Sequence, residues 1–106
     1  MNTNPDAQRI VCYGDSNTWG DAPLENRRFN PKERWTGLLQ DKLGKDYEVI
    51  EEGLCGRTFK AVEIGKEYRV GLTHLKAILS THEPISYVIV MLGTNDLKST
   101  FSTFFK

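Results

Sequence analysis

Arg9-Ile10-Val11-Cys12-Tyr13-Gly14-Asp15-Ser16-Asn17 is the stretch on which the fold turns. Ile10 to Tyr13 is a compact apolar, partly β-branched run, and Gly14 ends it, which predicts a buried strand leading into a turn. Two later stretches repeat that design. Tyr47-Glu48-Val49-Ile50 runs into Glu51-Glu52-Gly53, and Ile85 to Leu92 (ISYVIVML) runs into Gly93-Thr94-Asn95-Asp96. The last run is the most apolar of the chain and predicts a strand buried on both faces.

Helical spacing fills the gaps. Trp35, Leu38, Leu39 and Leu43 recur on one helical face. Asn30 offers an N-cap before them, Pro31 suits a first helical position, Glu33 completes a capping box, and Gly44 supplies the stop. Leu72, Leu75, Ile78 and Leu79 mark a second amphipathic helix with an inward stripe, closed by Pro84. Between Asp15 and Asn30 the chain reads as a polar connection. Strand, helix, strand, helix, strand predicts an α/β, three-layer, flavodoxin-like parallel sheet of about three strands in the order second–first–third. Functional sites in such sheets form beyond the carboxyl ends of the strands.

Composition narrows the classes. The chain has 106 residues, room for one domain, and 14 basic residues balance 14 acidic ones. A neutral chain has no electrostatic case for holding nucleic acid or an anionic membrane. Its apolar stretches are far too short to span a bilayer, and Met1 to Gln8 lacks the apolar core of a signal peptide. Cys12 and Cys55 lie in unrelated settings and read as reduced thiols of a cytoplasmic protein.

The three strand ends carry the chemistry. They read Gly14-Asp15-Ser16-Asn17-Thr18-Trp19-Gly20, then Glu51-Glu52-Gly53-Leu54-Cys55-Gly56-Arg57-Thr58, then Gly93-Thr94-Asn95-Asp96. A serine just past a buried strand presents its hydroxyl at the sheet edge as a nucleophile. Acyl transfer also needs donors aimed at a developing oxyanion. The Ser16 N–H, the Gly53 N–H and the Asn95 amide can converge on one point, and a glycine at 53 permits close approach of substrate. Asp15 reads as an organiser of its own turn. Trp19 reads equally as core or as the wall of an acyl pocket. Asp96 is a candidate helix cap and otherwise half of a surface pair with Lys98. Cys55 has no adjoining basic residue and reads as structural.

Taken in order, these three blocks resemble those of the SGNH (GDSL-type) serine hydrolase superfamily, over about Arg9 to Lys98. The details around Trp19, Gly56-Arg57-Thr58 and Leu92 to Lys98 are most similar to its arylesterase and acetyl-ester hydrolase or acyltransferase branch. The resemblance implies hydrolysis of small acyl esters through an acyl-enzyme, with Ser16 as nucleophile and Ser16, Gly53 and Asn95 as the oxyanion hole. It implies no cofactor and no metal, and a small-molecule ester as the binding partner.

The family's fourth block, an Asp-x-x-His supplying the triad acid and base, does not occur in residues 1–106. The chain is therefore expected to represent the N-terminal part of such a domain, with an exposed sheet edge that a second copy could cover. His82 precedes the third strand and His74 lies off the helical stripe, so both are expected to be surface histidines far from Ser16. The aromatic tail Phe101 to Phe105 fits no element of the pattern. A rival reading is an inactive remnant that binds a partner or an ester-like ligand. A flavodoxin-like phosphate-binding module is opposed by Asp15, whose carboxylate would repel phosphate, and by the lack of a glycine-rich cradle.

Overall fold

A computed structural model describes residues 3–98 of the chain; the Phe101 to Phe105 tail lies outside them. Three strands, β1 (Gln8–Gly14), β4 (Tyr47–Gly53) and β5 (Tyr87–Met91), form one parallel sheet in the order β4-β1-β5. That is the expected second–first–third order. β1 is central, so Ile10, Val11, Cys12 and Tyr13 are all buried. Alternation along the strand sends them to opposite faces. Ile10 and Cys12 join Val49 in a core packed by Trp35, Leu39, Leu43, Tyr47 and Ile89. On the other face the Tyr13 hydroxyl donates to the carbonyl of Gly71 at 2.7 Å. Helix α2 (Trp35–Leu43) covers the first face and helix α3 (Gly71–Thr81) begins over the second, giving three layers.

The polar connection holds more order than expected. A one-turn helix α1 (Ser16–Trp19) opens it, and a small antiparallel hairpin follows, β2 (Asp21–Ala22) with β3 (Arg27–Arg28). The capping box of Asn30 and Glu33 forms, yet one turn too early. The Asn30 N–H donates to Glu33 Oε1 at 3.1 Å and the Lys32 N–H to Asn30 Oδ1 at 2.9 Å. This closes an isolated turn over residues 31–34, and α2 starts only at Trp35. Tertiary bonds account for the break. Arg34 is held extended while its guanidinium binds the Glu51 carboxylate at 2.5 and 2.9 Å and the Phe29 carbonyl at 2.9 Å. Gly44 does end the helix, at φ 76°.

Two burial expectations fail. Among the described residues β5 is an edge strand with nothing packed beyond it, so Tyr87, Val88, Val90 and Met91 are exposed rather than buried on both faces. Leu72, assigned to the inward stripe, is 52 % exposed because it stands in the first turn of α3, at the rim of the layer. No helix among the described residues is long and apolar enough to cross a membrane.

Candidate active site

Strand register gathers the three loops. Gly14 stands opposite Gly53 on one side and Met91 on the other, so the chain leaves all three strands at the same carboxyl edge. Gly14 must lack a side chain there, since a Cβ would fall 2.1 Å from the Thr18 hydroxyl and 3.1 Å from the Met91 carbonyl.

Asp15 then reverses the chain. Its side chain is buried and accepts from the Asn17 N–H at 3.0 Å, while its carbonyl accepts from the N–H groups of Thr18 and Trp19. These bonds start α1 with Ser16 as its first residue. The Ser16 hydroxyl has no hydrogen-bond partner among the described residues. Gly20 closes α1 in the left-handed region at φ 95°. Trp19 is half-buried, with the Arg28 guanidinium 4.9 Å above its ring and Arg28 Nε donating to its carbonyl at 2.6 Å.

Gly53 ends β4 directly against α1: a Cβ on it would sit 2.3 Å from the Trp19 nitrogen and 2.7 Å from its Cα. Its requirement for glycine is thus steric, with ordinary strand backbone. Asn95 lies in a 3₁₀ turn (Thr94–Leu97) after Gly93, and its Nδ2 donates to the Arg57 carbonyl at 3.0 Å. Between the first and third loops a cleft of about 290 Å³ opens, lined by Asp15, Asn17, Met91, Leu92 and Thr94. A second, about 420 Å³, lies beyond Asn95 among Phe59, Lys60, Leu92, Gly93, Asp96 and Leu97.

Asp96 is not a surface residue paired with Lys98. It is 5 % exposed and accepts backbone N–H bonds from Phe59 at 2.6 Å, Lys60 at 3.0 Å and Ala61 at 2.9 Å. Burial opposes its charge, but these donors win and hold its carboxyl below the usual carboxylate range. Sequence reasoning missed this clamp because its donors are backbone groups, which no residue pattern advertises.

Arg57 was also missed, although it stands inside the quoted Gly56-Arg57-Thr58. It is 6 % exposed, and its guanidinium lies 4.1 Å above the Tyr13 ring and donates to the carbonyls of Gly14 at 3.2 Å and Glu52 at 2.6 Å. Burial pulls its pKa down from that of a free guanidinium, partly offset by Tyr13 and Glu52.

Of the two thiols, Cys12 is buried in β1 and Cys55 stands in the second loop. Both are free, and burial pushes Cys12 up to about 11, with Glu51 adding to the effect. Cys55 is raised as well, by burial first and then by Asp21. The histidines divide. His74 is half-buried on α3. His82 is not a surface histidine: its side chain is 14 % exposed and its Nε2 lies 2.6 Å from Glu52 Oε2. Neither hydrogen-bonds Ser16. Among the described residues no group of His, Cys, Asp or Glu is assembled to hold a metal.

Comparison with known proteins bears on the same residues. The model of the GDSL-like lipase/acylhydrolase family matches residues 12–104, from the middle of β1 past the third loop. This chain belongs to the GDSL-like lipase/acylhydrolase family. Among solved structures, the inhibitor-bound aryl esterase of M. smegmatis shares 47 % identity with this family member, with a TM-score of 0.86 over 91 % of the present chain. Est24, a carbohydrate acetylesterase from Sinorhizobium meliloti, shares 41 % identity with a TM-score of 0.84 over 89 % of the chain. The alignments cover 46 % of each of those proteins, so the chain spans about half their length. No curated protein matches.

Proposed function

We propose that residues 1–106 form the nucleophile and oxyanion-hole part of a serine esterase that cleaves small acyl esters through an acyl-enzyme. The observation that supports this reading is the strand register, which brings Ser16, Gly53 and the Asn95 loop to one edge of the sheet, where a cleft opens between Asp15 and Asn17 of the first loop and Leu92 and Thr94 of the third. In this scheme Ser16 Oγ forms a bond to the ester carbonyl carbon as its proton passes to a general base. The carbonyl π electrons become an oxyanion held by the Ser16 N–H, the Gly53 N–H and Asn95 Nδ2. Collapse expels the alcohol oxygen, which takes the proton, and water repeats the sequence on acyl-Ser16. Trp19 and the cleft beside Met91 and Leu92 would face the acyl group.

Neither His74 nor His82 hydrogen-bonds Ser16, so in this scheme the imidazole base is supplied from outside this stretch. For residues 1–106 alone, a Ser16 hydroxyl with no hydrogen-bond partner among the described residues favours a second reading: a module that binds an ester-like ligand without turning it over. Both readings meet one experiment, hydrolysis of an aryl acetate. The chain alone should show little or no turnover. Completed with the C-terminal half of a related esterase it should turn over, Ser16→Ala should abolish that rate, and Asn95→Ala should lower kcat about a hundredfold or more. Turnover that survives Ser16→Ala would overturn the proposal.

A further inference from the structure

Hydrogen bonds at the two ends of β4 fix which way its main chain faces. The Gln8 N–H donates to the Asp46 carbonyl at 2.9 Å, and the Leu54 N–H donates to the Gly14 carbonyl at 3.1 Å. Even-numbered residues there bond toward β1. Main-chain groups alternate along a strand, so Tyr47 and Val49 turn theirs to the outer edge of the sheet.

Gln40 of α2 meets those outward groups. Its Oε1 accepts from the Val49 N–H at 2.7 Å, and its Nε2 donates to the Tyr47 carbonyl at 2.9 Å and the Gly44 carbonyl at 3.0 Å. The Tyr47 N–H is engaged as well, by the Gly44 carbonyl at 3.3 Å. One residue of an added parallel strand would make the same two bonds, its N–H to the Tyr47 carbonyl and its carbonyl to the Val49 N–H. A glutamine amide offers the same donor and acceptor as a peptide group, on a stem long enough to bring them there. Farther along β4, a groove of about 370 Å³ beside Val49 and Glu51 is lined by Lys32 and Asp41, whose charges also deter a strand. The other edge has no such device. The Ser86 N–H donates to the Arg9 carbonyl at 2.9 Å, so by the same alternation Tyr87, Ile89 and Met91 face outward, and no strand pairs with them among the described residues.

From this we infer that Gln40 is a strand plug, which occupies the ladder position on β4 and keeps a strand of a second copy from extending the sheet there. A sheet open at both edges grows copy upon copy, whereas one stopped at β4 adds strands at β5 alone. The inference is independent of the esterase reading.

The test reads amide hydrogen exchange and sedimentation together, on the whole chain carrying Val90→Lys to blunt the β5 edge. In that parent the Val49 amide should be protected at every concentration. Adding Gln40→Met, similar in length but without the amide, should speed Val49 exchange about tenfold or more in dilute solution. Protection should then return as concentration rises, while sedimentation shows more association than in the parent. If Gln40→Met does not fold, Gln40→Asn decides by the same readouts, since it keeps the amide but falls one methylene short. An exposed Val49 amide with no added association would show that Gln40 only anchors α2 to β4, which overturns the inference. A Val49 amide that exchanges as in the parent overturns it too.

Discussion

Replacing Asp96 by alanine removes the acceptor of three N–H groups, the buried one of Ala61 and the part-buried ones of Phe59 and Lys60. Bonds to a charged acceptor are worth more than neutral ones, and orphaned donors keep their desolvation cost. Asp96→Ala should therefore destabilise the fold by about 3 kcal/mol, read from urea unfolding. The pH dependence has a definite sign. The folded pKa of Asp96 is lowered, so the unfolded chain takes up the proton first as pH falls. Its contribution is complete above about pH 4 and is lost progressively below it, as pH falls toward the folded pKa. Asp96→Asn should flatten that acid limb in melts taken from pH 6 to pH 3; an unchanged limb would assign the acid sensitivity to other carboxylates. What could be read in advance at this scale was the chemistry of single side chains: a serine after a strand, an asparagine after a glycine. Asp96 and Arg57 were opaque for one shared reason. Their partners are main-chain carbonyls and N–H groups, most of them more than thirty residues away, and main-chain atoms leave no trace in residue type.

Packing between elements makes two glycines differ sharply. Gly53 meets the backbone of α1, which cannot yield, whereas Gly44 has no atom within 4 Å of where a Cβ would be. Gly53→Ala should cost about 3 kcal/mol by forcing α1 off the end of β4. Gly44→Ala should cost about 1 kcal/mol, from its left-handed backbone alone. Equal losses in thermal melts would refute the close approach of β4 to α1. Element positions were largely legible, because the periods of apolar residues differ between strand and helix. The start of α2 was not. Asn30 and Glu33 obey the local capping rule, but the pull of Glu51 on Arg34 interrupts the helix after them. The exposure of β5 was equally invisible, since an apolar run specifies a strand without specifying its neighbours.

At the scale of the whole molecule, the outer edge of β5 is unpaired among the described residues. Tyr87, Val88, Val90 and Met91 put apolar surface beside unpaired backbone, the arrangement that recruits another strand. Sedimentation of the chain should show association that grows with concentration, and Val90→Lys should reduce it without lowering the melting temperature by more than about 3 °C. A monomer at all concentrations would show that the edge is blunted in another way. The Asp96 clamp has a further consequence, in time rather than space. It joins residue 96 to a loop 35 to 37 positions earlier in the chain. During synthesis Ser16 and Gly53 leave the ribosome well before Asp96, so β1, α2 and β4 can dock while the 59–61 loop still has no anchor. Asn95 emerges immediately before the residue that anchors that loop. The nascent chain can thus dock β1, α2 and β4 before residue 96 is made, and the 59–61 loop is fixed against the third loop only afterwards.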